Sequence, residues 1–411
     1  MDTTTTVIVG AGHAGLSMSR ALAERNVDHI VLDRGRPGNA WITERWDSLQ
    51  MLTPNWANKL PGTSHAGSDP DGFMSGKAFG QSLSKYAIDI AAPLKTHVVV
   101  KSLSLDHGGF RVDTDKGPIF AETIVNATGA TSLSKVPTLA DLVPNHITQL
   151  TTKSYRNPRD VPSGAVLIVG ASASGTQLAR ELQNAGRQVI LATGSHVRLP
   201  RQYRGRDIEY WLEATGIYEE PFQDIDDLTK ARRLPSAQLS GAGEVDLNAL
   251  QAIGVEVVGR LADIRDGKAL FSGGLAGVIS AADLKMARTL NRIDDWIASD
   301  PDVLGDMSAD RPAATRIPRS PRLSVDLEGR EVTSVLWATG YAPDHSWMSV
   351  PVIDRRGRLQ HDGGVCPVPG LFMLGLPILR RRRSHHVSGA AADTQDIAHL
   401  LHKHLDARRA A

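Results

Sequence analysis

The stretch Val7-Ile8-Val9-Gly10-Ala11-Gly12-His13-Ala14-Gly15 decides the fold of the first part of the chain. A short β-branched run leads into three glycines, and residues 16–26 continue with the spacing of an amphipathic helix. A strand that enters such a turn and a helix that leaves it form the start of a dinucleotide-binding fold. The N-terminus of the helix offers free N–H groups and the positive end of the helix dipole to a pyrophosphate. We therefore predict a dinucleotide site at this turn.

A carboxylate follows the turn at the distance that a ribose requires. Residues 29–33 read His-Ile-Val-Leu-Asp, a strand pattern, and Asp33 lies 23 residues after Gly10. At that spacing a carboxylate accepts hydrogen bonds from an unphosphorylated adenosine ribose, which predicts FAD or NAD. The position at the start of the chain favours FAD by analogy. The alternative is a βαβ turn that holds no ligand.

A second turn of the same type is Val166-Leu167-Ile168-Val169-Gly170-Ala171-Ser172-Ala173-Ser174-Gly175, in which a serine replaces the middle glycine. The next strand pattern, residues 188–191, does not end in an acid, and a carboxylate there would repel a ribose 2′-phosphate. The loop beyond it carries hydroxyl, imidazole and guanidinium groups instead, on Ser195, His196, Arg198 and Arg201. These groups favour NADPH over NADH, with Arg198 the first candidate for the phosphate and Arg201 the second. The alternative is a solvated basic loop.

Two such turns in one chain indicate two dinucleotides and electron transfer from one to the other. Two apolar strand patterns also end in Ala-Thr-Gly, at residues 127–129 and 338–340. We therefore expect an α/β fold with two Rossmann-like dinucleotide-binding domains.

Composition limits the remaining classes of function. The chain has 411 residues, 41% of them hydrophobic and 22% charged, with a formal net charge of +1. That balance gives no indication of nucleic-acid binding, and no apolar run approaches the roughly 18 residues of a membrane span. The single cysteine, Cys366, excludes an internal disulfide. We expect a cytoplasmic protein without a signal peptide, a membrane segment or a metal site.

Three further blocks carry a resemblance to a known family. They are Arg45-Trp46-Asp47-Ser48-Leu49, Leu52-Thr53-Pro54-Asn55-Trp56 and Pro369-Gly370-Leu371-Phe372-Met373-Leu374-Gly375. With the two turns, they make the chain similar to the flavoproteins with two dinucleotide-binding domains. Among these it resembles the class B flavin-dependent monooxygenases, especially the bacterial group labelled CzcO-like. The resemblance covers nearly the whole chain.

The resemblance implies a domain arrangement and an activity. An NADPH-binding domain of residues 159–320 is expected to be inserted into an FAD-binding domain made of residues 1–158 and 321–411. The implied activity is NADPH- and O₂-dependent oxygenation of a small organic substrate at nitrogen, sulfur or carbon, through a C4a-(hydro)peroxyflavin. A homodimer is implied in the same way.

The resemblance also implies the roles of individual residues. Asn55 is the expected catalytic amide near the flavin, and the alternative is a turn or helix-capping asparagine after Pro54. The residues expected to bind the two cofactors are Gly10, Gly12, Gly15, Asp33, Arg34, Trp41, Trp46, Thr53, Thr128, Gly129, Gly170, Ser172, Ser174, Gly175, Thr193, Ser195, Arg198, Arg201, Thr339, Gly340 and Gly375.

Two departures from the family pattern keep other functions open. Thr151 stands where the monooxygenase signature has a histidine, and Gly375-Leu376 stands where related disulfide reductases have Gly-Asp. One alternative is an NADPH-dependent flavin reductase or oxidase without oxygen insertion, and another is a non-catalytic flavin- or nucleotide-sensing protein. The run Arg380-Arg381-Arg382-Arg383-Ser384-His385-His386 suggests an anion clamp, a grip on NADPH, protonation control by a histidine, or a solvated loop.

Overall fold

The structure, a computed structural model, describes residues 2–63, 67–241, 243–299, 308–329 and 331–410. Both halves of the chain contain strands and helices. The strands are β1 (Asp2–Val9), β2 (His29–Asp33), β3 (Leu94–Thr96), β4 (Val100–Asp106), β5 (Gly109–Thr114), β6 (Gly117–Asn126), β7 (Leu133–Ser134), β8 (Thr148–Thr151), β9 (Ala165–Val169), β10 (Val189–Thr193), β11 (Gln202–Tyr203), β12 (Arg206–Asp207), β13 (Glu256–Gly259), β14 (Leu261–Arg265), β15 (Lys268–Phe271), β16 (Ser324–Asp326), β17 (Val332–Trp337), β18 (Tyr341–Ala342) and β19 (Leu371–Met373).

The helices lie between these strands and after the last of them. They are α1 (His13–Ala23), α2 (Asn39–Thr43), α3 (Gly76–Asp89), α4 (Ala173–Asn184), α5 (Ile208–Ala214), α6 (Leu228–Ala231), α7 (Leu247–Ala252), α8 (Leu275–Ser299) and α9 (Gly389–Ala410). Short 3₁₀ helices span Asn55–Ala57, Thr138–Leu142, Pro158–Asp160, Ile217–Glu219 and Phe222–Asp224.

The first sheet is built around β1, the strand that enters the first glycine turn. Its order is β3-β2-β1-β6-β5-β4, and β19 also pairs with β6. The strands β3, β2, β1, β6 and β19 run parallel, while at one edge β5 pairs antiparallel with β6 and β4 pairs antiparallel with β5. Because parallel strands end at the same edge, the glycine turn after β1 and the loop after β6 lie side by side.

The second sheet repeats this plan around β9. Its order is β13-β10-β9-β17-β8, and each of these neighbouring pairs is parallel. All residues of β9 and β10 are buried, as expected for parallel strands that are covered on both faces. The α/β fold with two Rossmann-like sheets is therefore confirmed.

Two strands of the second sheet come from outside residues 159–320. The strands β8 and β17 pair with each other, and β17 also pairs with β9. Residues 148–151 and 332–337 thus belong to the second sheet by their hydrogen bonding. The division into 1–158, 159–320 and 321–411 stays a prediction.

The helices bury the two sheets in separate apolar cores. In the first core, Leu16 of α1 and Leu401 of α9 pack with Val7 and Ile8 of β1. In the second core, helices α4, α7 and α8 pack against the sheet through leucine and isoleucine side chains. None of the described helices is both long and apolar enough to cross a lipid bilayer.

Candidate functional site

The first glycine turn is packed so closely that two of its glycines have no room for a side chain. Gly10 has a φ of +109°, and a Cβ there would lie 2.6 Å from the carbonyl oxygen of Ala127. A Cβ on Gly15 would lie 1.9 Å from the carbonyl oxygen of Gly10. The two glycines therefore allow β1, α1 and the loop after β6 to approach one another.

Gly12 is different, because the protein itself does not require a glycine at that position. Its φ of −81° and ψ of −174° are accessible to every residue type. In the described part of the chain, apart from the neighbours of Gly12, no heavy atom lies within 4 Å of a Cβ built on it. The space beside Gly12, at the N-terminus of α1, is thus open for a pyrophosphate that approaches the backbone closely. The residues of the turn fit a dinucleotide.

A buried imidazole atom at the same place also fits a ligand. His13 is the first residue of α1, and its Nε2 is buried without a hydrogen-bond partner among the described residues. Burial lowers the pKa of His13 to about 4, so the ring is neutral at neutral pH. A buried polar atom without a partner is costly, and a bound ligand would remove that cost.

Backbone groups fix the carboxylate of Asp33 at the end of β2. The N–H of Ala11 donates to one oxygen at 2.7 Å, and the N–H of Gly35 donates to the other at 2.8 Å. Each oxygen can accept a further hydrogen bond, and Asp33 is only half-buried. The carboxylate is therefore held beside the first turn, where its predicted contact with a ribose requires it.

The second glycine turn has nearly the same geometry as the first. Gly170 also has a φ of +109°, and its Cβ would lie 2.5 Å from the carbonyl oxygen of Ala338. A Cβ on Gly175 would lie 1.8 Å from the carbonyl oxygen of Gly170. Ser172 has a φ of −87° and a ψ of −176°, almost those of Gly12. A serine is therefore tolerated without strain at this position.

The two Ala-Thr-Gly strands meet the two turns, one each. The backbone N–H of Thr128 lies beside Gly10, while the hydroxyl of Thr128 donates to Asn126 at 2.8 Å. Thr339 follows the alanine that contacts the second turn, and its hydroxyl donates to the carbonyl of Lys135. In both loops the final glycine has a positive φ, +77° at Gly129 and +90° at Gly340.

Other predicted residues of these two regions lie nearby. Gly375 has a φ of +73°, and its Cβ would lie 3.1 Å from Cβ of Ala14 in α1. Ser174 is half-buried in the first turn of α4. Thr193 is buried at the end of β10, where its hydroxyl donates to the carbonyl of Leu191. The roles of these residues in cofactor binding stay predictions.

Asn55, the predicted catalytic amide, holds a loop in place. Its Nδ2 donates to the carbonyl of Asp69 at 2.9 Å, and its Oδ1 accepts from the N–H of Met74 at 2.9 Å. Thr53 is engaged in the same region, since its hydroxyl donates to Asn58 at 2.6 Å. These bonds match the alternative of a turn asparagine, and the catalytic role of Asn55 stays a prediction.

Two tryptophans and one arginine that were predicted to bind a cofactor contact other residues of the protein. Trp46 is buried in the second core, although it comes from the first part of the chain. Trp41 packs edge-on against Phe79 at 5.1 Å between ring centroids. Arg34 forms an ion pair with Glu44. Trp46 therefore anchors the two folds to each other.

Arg198, the first candidate for a 2′-phosphate, is engaged by carboxylates of the protein, and its phosphate role stays a prediction. Its side chain is 3% exposed and forms ion pairs with Asp246 at 2.7 Å and with Asp283 at 2.9 Å. Three of its nitrogens donate to these carboxylates. The guanidinium is already neutralised and holds the loop after β10 against the start of α7 and against α8.

Arg201, the second candidate, is also committed to protein groups. It forms an ion pair with Asp207 and donates to the carbonyl of Leu52 at 2.7 Å. Its guanidinium lies 5.0 Å from the ring centroid of Phe73. Arg201 therefore connects the second fold to residues 52–73, and the phosphate role predicted for it has no support here.

The arginine run at residues 380–383 joins two parts of the molecule. Arg381 pairs with Asp393 of α9 at 2.7 Å. Arg382 pairs with Glu220 at 2.5 Å, and Arg383 pairs with Glu219. The run is therefore neither a solvated loop nor a free anion clamp, because carboxylates from α9 and from residues 213–220 neutralise it.

Sequence reasoning missed a buried carboxyl, Glu209 on α5. It is 6% exposed and accepts a hydrogen bond from the hydroxyl of Tyr218. Burial raises the pKa of Glu209 to about 7, against the opposing effects of Tyr218 and Arg201. No sequence pattern distinguishes this glutamate from its exposed neighbours, because its burial depends on long-range packing.

We expect Glu209→Gln to remove a pH dependence of stability. A raised pKa in the folded state means that Glu209 favours folding while it is protonated. This stabilisation is complete below the ordinary pKa of 4.5 and is lost as the pH rises to about 7. The difference in the free energy of unfolding between wild type and variant should change by at most roughly 3 kcal/mol over that pH range. Urea unfolding at pH 5 and pH 8 measures it.

A matched control is Glu213→Gln, since Glu213 lies on the same helix with a side chain that is 51% exposed. This variant should keep the wild-type pH profile. An unchanged profile in Glu209→Gln as well would contradict the buried, proton-binding state of Glu209.

Comparisons with known proteins agree with the two-turn geometry. A family model described as pyridine nucleotide-disulphide oxidoreductase matches residues 7–225. An uncharacterized CzcO-like oxidoreductase of Geobacillus kaustophilus (strain HTA426) is 28% identical over 401 residues, which are 97% of this chain and 98% of that protein. Indole-3-pyruvate monooxygenase YUCCA1 of Oryza sativa subsp. japonica is 27% identical over 205 residues, 48% of this chain and 50% of that protein.

A solved structure shares the fold over almost the whole length. The flavin-containing monooxygenase from Stenotrophomonas maltophilia superposes with a TM-score of 0.69 at 18% identity, covering 98% of this chain and 100% of that chain. The family and its flavin-dependent neighbours imply that this chain uses FAD and NADPH. The chain belongs to the pyridine nucleotide-disulphide oxidoreductase family and is an FAD-dependent oxidoreductase.

Proposed function

We propose that the chain is an NADPH- and O₂-dependent flavoprotein monooxygenase that oxygenates a small organic substrate at nitrogen, sulfur or carbon. The observation that carries the proposal is the pair of matched glycine turns. Each follows an inner strand of its sheet, β1 or β9, and each has nearly the same backbone at its middle residue, Gly12 or Ser172. Two dinucleotides held by one chain support electron transfer between them.

The state of the cysteine supports oxygen as the electron acceptor. Disulfide reduction within the chain needs two cysteines, and Cys366 is the only one. It is buried, and burial raises the pKa of its thiol to about 12. A buried thiol with that pKa is not a nucleophile at neutral pH. The electrons of NADPH therefore have no disulfide acceptor within this chain.

The residues around the first turn would hold FAD, and those around the second would hold NADPH. The first turn supplies the N-terminus of α1 and the carboxylate of Asp33, and the second supplies the N-terminus of α4. Bound flavin would take reducing equivalents from NADPH and deliver them to O₂. The names of the relatives support oxygenation, since YUCCA1 and the Stenotrophomonas protein are monooxygenases.

The test is an oxygen balance on the FAD-loaded protein. The protein is given NADPH and ¹⁸O₂ with a panel of thioethers, amines and ketones, and NADPH oxidation, hydrogen peroxide and labelled product are measured. We expect an accepted substrate to take up one ¹⁸O atom while the peroxide formed per NADPH falls.

The same measurement separates the alternatives. Stoichiometric peroxide and no labelled product, for every compound of the panel, would identify an NADPH-dependent flavin reductase or oxidase. Flavin that binds but is not reduced by NADPH would indicate a sensing protein.

A further inference from the structure

A cavity of about 280 Å³ opens at the end of β10, the strand that follows the second glycine turn. One wall is the loop after β10, with Ser195 and His196. The other wall is the first part of α8, with Gly277 and Lys285. None of the described residues that line this cavity is a carboxylate. No carboxylate in this lining would therefore repel an anion.

Lys285 is the cation of this cavity. It is exposed on α8 and forms no ion pair with a carboxylate in the described ranges of the chain. Its neighbour Asp283 is already paired with Arg198. The ammonium of Lys285 and the hydroxyl of exposed Ser195 are thus donors that an anionic ligand can use.

His196 supplies a hydrogen-bond acceptor, whereas Lys285 and Ser195 supply donors. It is 3% exposed, and its Nδ1 lies 3.0 Å from the carbonyl oxygen of Gly194. That contact places the ring proton on Nδ1, so Nε2 is an acceptor. Nε2 is buried and has no partner among the described residues. Burial lowers the pKa of His196, which keeps the ring neutral.

A phosphorylated ribose matches both kinds of group. Its phosphate would accept hydrogen bonds from the ammonium of Lys285 and the hydroxyl of Ser195, and its free hydroxyl would donate to Nε2 of His196. The position agrees, because the end of the second strand of a dinucleotide fold is where the adenosine ribose lies. The position that corresponds to Asp33 of the first fold, 23 residues after the first glycine of the turn, is Thr193 and not a carboxylate, and Ser195 follows it in the loop.

We propose that this cavity binds the phosphorylated ribose of NADPH, and that Lys285 is the residue that selects NADPH over NADH. The inference rests on the use of NADPH at the second glycine turn, which is part of the proposed function.

Calorimetric titration of the FAD-loaded protein tests the cavity without any turnover. The probes are 2′,5′-ADP, which carries the ribose phosphate, and 5′-AMP, which lacks it. We expect wild type to bind 2′,5′-ADP more tightly, and Lys285→Ala to weaken that binding about 10- to 100-fold, the range for a hydrogen bond to a charged group. Binding of 5′-AMP should change less than about twofold, and Lys285→Arg should retain most of the preference.

Arg292→Ala is the matched control, because it removes one exposed positive charge from the same helix, about 10 Å further along. This variant should bind both probes like wild type. In steady-state assays the ratio of kcat/KM for NADPH to that for NADH should fall in Lys285→Ala by the same factor as the binding of 2′,5′-ADP.

The outcomes separate this inference from the proposed function. The role of Lys285 would be overturned if Lys285→Ala weakened the binding of 2′,5′-ADP and 5′-AMP equally, or of neither. It would also be overturned if wild type bound the two probes equally. These outcomes hold whatever the oxygenation assay shows. Loss confined to 2′,5′-ADP, together with no oxygen in any product, would support Lys285 and reject the monooxygenase.

Discussion

Replacing Gly12 with valine is expected to leave the chain folded and to abolish its binding of FAD. The backbone at Gly12 lies in the extended region that valine prefers, and in the described chain nothing beyond its neighbours would contact the new Cβ within 4 Å. The side chain would instead fill the space where the pyrophosphate meets the backbone. We expect the affinity for FAD to fall at least about 100-fold, which corresponds to about 2.7 kcal/mol.

The measurement is the flavin content of the purified protein together with the melting temperature of the flavin-free form. Gly15→Ala is the contrasting variant, because its Cβ would lie 1.9 Å from the carbonyl oxygen of Gly10. That variant should melt at a much lower temperature even without flavin, whereas Gly12→Val, which only puts a poorer N-cap residue on α1, should melt slightly below wild type. Full flavin content in Gly12→Val would show that the open space beside α1 is not the cofactor site.

The sequence predicts the two turns well because their requirements are local. A strand, a turn and a helix lie within about 20 residues, and the clash at Gly15 is with Gly10, five residues earlier. The same applies to the second turn, where Ser172 replaces a glycine that the protein does not need for packing. The strand pairing is harder to predict from the sequence, because β8 and β17 join the second sheet from outside the expected domain.

The charged side chains of the site were not predictable in this way. Arg198 looks free in the sequence, yet its partners lie 48 and 85 residues away, at Asp246 and Asp283. Arg383 lies 170 residues from Glu213, to which it donates. Conversely, Lys285 shows no motif, and only the packing of α8 brings it beside Ser195. Charge in a loop indicates an anion site only when no carboxylate of the fold reaches it.

We expect Arg198→Met to destabilise the protein by about 3–5 kcal/mol, the usual cost of removing one partner of a buried ion pair. The variant would leave the carboxylates of Asp246 and Asp283 without their buried counter-charge. Burial raises the pKa of Asp283, but hydrogen bonds from Thr315 and Arg198 outweigh it and the pKa is lowered. Stability from this pair is therefore present above the ordinary pKa of 3.8 and is lost as the pH falls through the lower folded value.

Urea unfolding of the flavin-free protein at pH 7 measures the loss, with exposed Arg292→Ala as the control that should change stability by less than about 0.5 kcal/mol. The triple variant Arg198→Met, Asp246→Asn, Asp283→Asn should recover part of the loss. It removes the unpaired charges, while asparagine still accepts the backbone hydrogen bonds that Asp246 and Asp283 now receive from Ala249 and Thr315.

Replacing a phosphate-binding arginine and replacing a structural arginine have opposite effects on stability and on ligand binding. An arginine that reads the ribose phosphate would, when replaced, weaken 2′,5′-ADP and leave the free energy of unfolding unchanged. The ion pairs of Arg198 predict a large loss of stability, and any loss of 2′,5′-ADP binding would come from displacement of α8, which carries both Asp283 and Lys285. Recovery of stability in the triple variant, with Lys285 intact, should then restore 2′,5′-ADP binding to the same degree. A triple variant that is stable but does not bind 2′,5′-ADP would indicate that Arg198 itself binds the phosphate.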